Sequence, residues 1–575
     1  MSGLLSRIPW RTWRPKLADT LTTYSRAELV SDVTAGITVG LVALPLAMAF
    51  GIASRVTPQA GIYTAIVGGF LVSALGGSRI QIAGPTGAFV VIVAGIITEH
   101  GLSGLLMVTM MAGVMLLFLG LTGLGQAVKY IPRPVVIGFT NGIALLIAST
   151  QIKDFLGLTM TENPSEFFAR MAVIGESLST ISVPAVVLAT ASLGLVLLVP
   201  RWFPRVPGSI VAMLVGTAAV TIFQLPVETI GSRFGGIPSG LPSISVPELR
   251  LDLVMPLLPS AFTVAFLAAV ESLLSAVVAD SMSGDRHNSN AELVAQGIAN
   301  LTVPLVGGIP VTGAIARTAT NFRAGAKSPI AGLIHAVTLL AVVLLLAPLA
   351  RFIPLATLAA VLFVVAYNMG EWREIGGIVR LELADVSVWL ITFALTVMAD
   401  LTLAVEAGIA LAALLYIYRV SDTTSVATVT AEYIEKGRPH ILQDKEVPHY
   451  VTILRIHGPF LFGTTEKLVD ATADLSAYAP IVVLRLRNMT AIDATGLHAL
   501  EGLSDRLKRS GRTLLLCGAR DQPAALLEQA DFVDHVGKEN ILPHVQAALQ
   551  RAHQIWTRFH GVGERAARDL ERASL

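Results

Sequence analysis

Charge and cysteine are what this chain has least of. One cysteine, Cys517, among 575 residues excludes an internal disulfide and any metal centre built from several thiolates. Only 14% of the residues are charged while 53% are hydrophobic, and the mean hydropathy is +0.69; an ordinary soluble globular protein is excluded. A formal net charge of +1 offers no field for nucleic acid, so the basic residues inform only by where they fall. No Walker loop, catalytic triad or metal-ligand cluster stands out. Neither an enzyme nor an ATP-driven pump is expected, and no cofactor or metal. No cleavable leader is expected either, because the first apolar run, from about Val33, is long enough to span a bilayer.

What is present is a succession of apolar runs from Val33 to Tyr418, roughly fourteen membrane segments, several of them broken by Gly and Pro. The expected organisation is a cytoplasmic segment 1–32, a transmembrane domain 33–420, a charged linker 421–446, a soluble α/β domain 447–555 and a charged tail 556–575. The opening segment is basic and carries Trp10 and Trp13, which suits a stretch lying against lipid headgroups. With the N-terminus inside, the inner connections hold Arg79, Lys129, Arg133, Arg201, Arg205, Arg286, Arg323, Lys327, Arg373 and Arg380. The outer ones hold Arg55, Lys153, Arg170, Arg233, Arg250 and Arg351. This bias places both termini in the cytoplasm.

The stretch from Gly307 to Pro329, GGIPVTGAIARTATNFRAGAKSP, carries Arg317, three threonines, Asn321 and several glycines inside an apolar region. No lipid-facing helix would tolerate it. It reads as a short extended lead-in, Gly308 to Val311, a helix capped by Thr312, and Arg317 turned inward; a helix N-terminus beside a guanidinium is an anion site. A weak repeat points the same way. AGIYTAIVGGFLVSALGG (Ala60 to Gly77) runs in step with AELVAQGIANLTVPLVGG (Ala291 to Gly308), and each is soon followed by T-G-A, at Thr86–Ala88 and Thr312–Ala314. Two homologous halves of seven segments must insert in opposite orientations, which points the two helix N-termini at each other near the midplane. In the first half Ile80 to Ala83 is the extended lead-in, and Pro85 fits the first helical position.

Several other polar residues lie in the apolar region. Glu406 suits a second proton site or a position close to water; His335 suits a hydrogen-bonded packing role; Asn141 and Gln151 suit steadying roles. Trp372 and Tyr418 read as interface anchors. After Val447 strands and helices alternate: VTILRIHGP, a helix near Glu466 to Leu475, IVVLRLRN, a helix after Ala494, TLLLCGA, and helices near Ala524 and Leu542.

PLAMAFG (45–51), GIYTA (61–65), AGPTGAFVV (83–91), QIKDFLG (151–157), ESLLSAVVAD (271–280) and GGIPVTGAIARTATN together resemble the SulP family of anion transporters, whose eukaryotic relatives form the SLC26 group. The resemblance covers nearly the whole chain, and AIAR (314–317) is similar to the C4-dicarboxylate carrier branch. It implies seven plus seven inverted repeats in core and gate domains, a C-terminal cytoplasmic STAS domain with a partner of its own, a homodimer, and a multi-pass place in the bacterial inner membrane. Carried over by position, it implies that Phe50, Thr86, Gly87, Ala88, Gly313, Ala314, Ile315 and Arg317 line the anion site. Glu271 takes the acidic position of the eighth span, with Ser275 a turn away, and the two handle protons. Ile315 stands where sodium-dependent relatives carry a threonine, which argues against sodium; Leu46 stands where animal relatives carry a glutamine. In the C-terminal domain, DATGL (493–497) resembles the phosphorylated loop of soluble anti-sigma-factor antagonists, with Thr495 on the phosphorylated position; the alternative is that Thr495 and Asp493 cap a helix.

Charges at the centre of a span cost about 2.5–3.5 kcal/mol each on insertion scales, so Glu271 and Arg317 need a reason to be there. One reason is substrate and proton handling; the other is a structural ion pair holding the repeats together. Two helix N-termini of about half a charge each plus Arg317 total about +2 with Glu271 protonated and about +1 with it ionised. A dianion is balanced only in the protonated state. The expectation is proton symport of a small dianion, first a C4-dicarboxylate (succinate, fumarate, aspartate) and second sulfate; bicarbonate, a monoanion that can bind with Glu271 charged, is third. The competing classes are a nucleobase permease, against which Arg317 and the STAS domain count, and a membrane-tethered STAS sensor.

Overall fold

The computed structural model describes residues 13–22, 24–123, 132–160, 162, 164, 166–203, 206–236, 240, 244–248, 250–399, 401–428 and 447–573. Trp10, Lys129, Arg205 and most of the expected linker, residues 429–446, lie outside the described residues. The chain forms two compact units, Met1–Ala412 and Ala413–Leu575.

The first unit is helical. Its elements are α1 (Arg26–Ala53), α2 (Pro58–Leu75), α3 (Ala88–Thr122), α4 (Arg133–Leu156), α5 (Phe167–Glu176), α6 (Val183–Trp202), α7 (Gly208–Phe223), α8 (Ile230–Phe234), α9 (Val254–Ser283), α10 (Ser289–Thr302), α11 (Ile315–Arg323), α12 (Ile330–Ala350), α13 (Leu355–Met369), α14 (Trp372–Ile378), α15 (Leu383–Met398) and α16 (Leu401–Thr423). Among the described residues nine helical stretches are long and apolar enough to cross a membrane. Gly101 (φ 67°, ψ −170°) breaks α3 into two segments, and α7, α10, α11 and α15 are shorter. Together these make fourteen segments between Arg26 and Thr423. Where α1 begins, a capping box replaces the missing intrahelical acceptors: Ser25 Oγ accepts from Glu28 N–H, and Glu28 Oε2 accepts from Ser25 N–H at 2.8 Å.

Packing sorts the helices into two bundles. In one, α1 lies on α12, and α3 lies on α9 and α10; in the other, α4 lies on α13 and α15, and α6 on α7 and α13. Small residues allow the closest approach. A Cβ on Gly113 of α3 or on Gly297 of α10 would sit 2.9 Å from the other glycine's carbonyl oxygen.

The two repeats meet in the first bundle, where the chain runs extended at membrane depth. β1 (Ala83–Gly84) pairs antiparallel with β2 (Thr312–Gly313), as an inverted repeat requires. Two-residue strands leave most neighbouring backbone groups without partners, and lipid supplies none. Side chains from the surrounding helices take that role. Asn300 accepts from Val311 N–H and donates to Val311 C=O (3.0 and 2.8 Å), Thr64 Oγ1 accepts from Ile309 N–H, Thr318 Oγ1 accepts from Ile82 N–H, and Asn321 donates to Ile80 C=O.

The second unit is an α/β domain with a five-stranded sheet in the order β3-β4-β5-β6-β7: Ser425–Thr428, Val451–Phe460, Ile481–Ile492, Thr513–Cys517 and Ile541–Leu542. β3 is antiparallel to β4 and the rest are parallel. Alternate residues feed two cores: Val482, Leu484 and Leu516 meet Leu500, Leu503 and Leu507 of α17 (Ala494–Arg509), while Val483, Leu515 and Cys517 meet Ala548 and Ala552 of the last helix (Val545–Ala573). The helix expected near Leu542 starts at Val545, and Leu542 itself belongs to strand β7. Two apolar residues at a sheet edge are too few to carry a period.

Two outcomes follow. Asn300→Leu should leave Val311 with two unpaired buried groups and destabilise the folded unit by about 2 kcal/mol, read as a lower midpoint in detergent melts; an unchanged midpoint removes Asn300 from the account. Burial pushes the Cys517 thiol up to about 11, so at pH 8 it is almost wholly protonated. It should therefore resist thiol reagents in the native protein and react within minutes once guanidinium unfolds the domain.

Candidate functional site

Between the two bundles lies a cavity of about 300 Å³. The entry to α3 (Thr86, Gly87 and the first helical residue, Ala88) and the start of α11 (Ala314 before it, then Ile315, Ala316 and Arg317) border it, with Phe50 from α1, Glu271 from α9, and Val135, Phe139 and Thr140 from α4. Asn368, Met369 and Glu371 complete one side. Both helix N-termini thus face one space, and the unsatisfied N–H groups of their first turns are anion donors.

Arg317 is 3% exposed. Its Nη2 donates to Pro85 C=O at 2.5 Å, and Nη1 has no hydrogen-bond partner among the described residues. Glu271 Oε2 accepts from Thr86 Oγ1 at 2.8 Å. The two charged groups therefore each clamp the lead-in to α3, and among the described residues they form no ion pair with each other within 4.0 Å. The structural-pair reading expects such a contact. Gly84 is part of the same geometry: its φ of 155° suits glycine, and a Cβ there would lie 2.5 Å from Arg317 Nη1.

Of the residues expected at the site, Phe50, Thr86, Gly87, Ala88, Ala314, Ile315, Arg317 and Glu271 border the cavity. Gly313 does not; it sits in β2 against Gln81 and Ser272, where its lack of a side chain allows the strand to pass. Nor does Ser275, which is fully buried with its hydroxyl 3.0 Å from Thr318 Oγ1. Thr312 is no helix cap: it lies in β2 and donates to Ala268 C=O, while Ala314 precedes α11. Pro85 is not the first helical residue, because α3 starts at Ala88 after Gly87. Asn141 steadies the second bundle, donating to Gly370 C=O and accepting from Trp389 Nε1. His335 is fully buried, and neither ring nitrogen has a partner among the described residues, contrary to the hydrogen-bonded role expected. Glu406 is exposed on α16. In the α/β domain Asp493 caps α17 by accepting from Gly496 N–H at 2.8 Å, and Thr495 is exposed in the first turn, outside the cap.

The sequence reading misses the support behind the site. Glu292, 1% exposed, accepts from Gln81, Ser272 and Gln296 side chains and from Gly77 N–H. It holds Ser272, next to Glu271, and Gln81, next to β1. The signal available was the i, i+4 pair Glu292/Gln296 in an apolar repeat, but spacing alone does not say that both face inward. Asn368 comes to the cavity from the last turn of α13, and Glu371 from the short connection after it, whose side chains no periodicity orients.

A polytopic helical unit with two opposed half-helices meeting at a buried guanidinium, followed by an α/β domain, defines an anion carrier of the inverted-repeat kind. The chain belongs to the sulfate permease family, whose model matches residues 29–392, and a STAS domain model matches residues 443–548. It is 43% identical to the putative sulfate transporter YvdB of Bacillus subtilis, over 91% of this chain and 97% of that protein. It is 30% identical to the bicarbonate transporter BicA of Synechocystis, over 91% and 94%. The fold matches murine Slc26a9, an anion transporter solved in an inward-facing state, with a TM-score of 0.85 at 18% identity over 94% of each chain. The protein is thus a membrane anion transporter and not an enzyme.

Gly84→Ala should displace the guanidinium while leaving the helices in place. In detergent, the wild type is expected to gain thermal stability with millimolar sulfate or succinate, and the variant to need at least tenfold more anion for the same gain; equal titrations would show that Gly84 does not position Arg317.

Proposed function

We propose that the protein is a secondary carrier that moves a small dianion together with a proton, with C4-dicarboxylates as its first substrates. The observation that carries this reading is the cavity's composition: one buried guanidinium with an Nη1 still available, the Glu271 carboxylate beside it, the exposed Glu371 at one side, and a wall otherwise mostly of Leu, Val, Phe, Ile and Met side chains. Four sulfate oxygens in such a space would find donors on one side only. A succinate or fumarate can set one carboxylate against Arg317 and the two helix N-termini while its carbon chain meets the apolar wall.

Proton coupling follows from the charge sum. Arg317 and two half-charged N-termini balance a dianion when Glu271 carries a proton, and leave about one negative charge in excess when it does not. Loading the dianion with a proton on Glu271 and releasing both on the other side is then the low-energy cycle. Thr86, which donates to the ionised carboxylate, can turn to the substrate once Glu271 is protonated. In this reading the two bundles are core and gate, the assembly is a homodimer in the bacterial inner membrane with both termini cytoplasmic, and the STAS domain docks a cytoplasmic partner. Sulfate is the second reading, favoured by the similarity to YvdB; the similarity to BicA keeps bicarbonate third.

Uptake of labelled succinate and of labelled sulfate into proteoliposomes, with and without an inward proton gradient, tests this. Wild type should take up succinate several-fold faster with the gradient, and Glu271→Gln should lose that dependence. Sulfate uptake alone changes the substrate and keeps the mechanism. Transport indifferent to both gradient and substitution sinks the role of Glu271.

A further inference from the structure

The carrier cycle leaves Glu371 without a task, yet its place is unusual in two respects. It borders both the central cavity and a second opening of about 560 Å³, a mouth lined by Arg133, Tyr367, Arg373 and Glu374. Its backbone is also left-handed, with φ 39° and ψ 35°, a region in which glycine or asparagine rests easily and glutamate does not.

Neighbouring contacts hold that conformation. Gly370 C=O accepts from Asn141 of α4, Trp372 Nε1 donates to Tyr367 C=O at 2.9 Å, and the Trp372 ring lies where a side chain on Gly370 would be. Glu371 C=O accepts from Glu374 N–H at 2.9 Å as α14 begins. The turn is thus fastened on both sides of an exposed glutamate. Strain kept in this way at the edge of a cavity asks for a functional reason.

The cavity supplies one. Glu271 faces it, and a proton arriving from the mouth passes a wall mostly of Leu, Val, Phe, Ile and Met. Polar side chains on that wall are few. Thr86 donates to Glu271, and Thr140 donates to Ile137 C=O at 3.1 Å. The Asn368 amide does not titrate, and Arg317 is not deprotonated at any physiological pH. Glu371 is the remaining side chain on the cavity that takes up and gives back a proton. Charged and titratable groups face it from both directions: Arg133, Tyr367, Arg373 and Glu374 at the mouth, Glu271 and Arg317 on the cavity. Arg133 is held by Glu374 at 3.0 Å, and among the described residues no ion pair within 4.0 Å ties the Glu371 carboxylate.

We propose that Glu371 is the proton-relay residue of the carrier, taking a proton from water in the mouth and passing it through the cavity to Glu271. The proposal rests on the proton-coupled reading. The Glu371 carboxyl group gives its proton to cavity water, the water gives one to the Glu271 carboxylate, and Glu371, now ionised, reloads from the mouth. One proton enters and one is delivered in each pass. Because the carboxyl group is fixed in the wall, it keeps a proton at the cavity even as an anion displaces the water there.

The full-length protein in proteoliposomes tests this, with labelled succinate or, where only that is carried, labelled sulfate. Glu371→Gln should lower the ratio of gradient-driven uptake to gradient-free exchange at least tenfold, because exchange returns the carrier loaded and needs no proton turnover. Glu371→Asp, which keeps the carboxyl group, should hold the ratio within about threefold of wild type. Glu371→Gly removes the carboxyl group and relaxes the left-handed turn, so it should show the low ratio with a melting midpoint at or above that of wild type. An unchanged ratio in Glu371→Gln, uptake and exchange that fall together, or a Glu371→Asp as impaired as Glu371→Gln each overturns the proposal. Wild-type uptake that ignores the gradient overturns it too and sinks proton coupling itself. Gradient-driven wild-type uptake with an unchanged ratio in Glu371→Gln removes the relay alone and leaves coupling through Glu271 in place.

Discussion

Backbone hydrogen bonding at membrane depth is the constraint from which the rest of this structure follows. An anion site made of helix N-termini requires that two helices begin inside the bilayer, and the segments leading to them are then extended and short of partners. Two residues of antiparallel pairing, 83–84 with 312–313, satisfy only a few groups. The remainder are met by Asn300, Thr64, Thr318 and Asn321. These side chains sit in helices whose other faces pack tightly through Ala and Gly. The polar groups of the first bundle are held by hydrogen bonds from several helices, and Arg317 joins them through Pro85 C=O.

The second bundle contributes little to that network and much to the walls of the cavity. α4 and the chain around Asn368 to Glu371 close one side of the space, so movement of one bundle past the other changes the cavity without disturbing the paired strands. The polar crossing thus belongs to the first bundle, and the second supplies apolar surface beside it.

Much of the site was legible because charge in an apolar region is costly. Arg317 and Glu271 stand out for that reason, and the T-G-A elements stand out because glycine and threonine repeat in register with the glycine pairs. The register itself was read less well. Thr312 resembles a helix cap and is a strand residue; Pro85 resembles a first helical residue and lies three positions ahead of one. In both cases local preference yields to the pairing of β1 with β2, a contact between residues more than two hundred positions apart. Ser275 was misjudged for a related reason. It shares a helical face with Glu271, yet Thr318 of α11 covers that turn and draws its hydroxyl out of the cavity.

Composition and apolar run length by themselves determined that the chain crosses a membrane many times, the recurring glycine pairs and T-G-A elements pointed to halves that repeat in opposite sense, and strand–helix alternation marked the α/β domain that follows, because burial in lipid and sheet formation both leave periodic marks. Tertiary structure alone decided that Arg317 and Glu271 each grip the lead-in to α3 and do not pair, that Glu292 sits behind them, and that Glu371 borders both the cavity and the mouth. Side-chain direction at a helix end or a connection depends on which distant element packs there, and no local pattern records that.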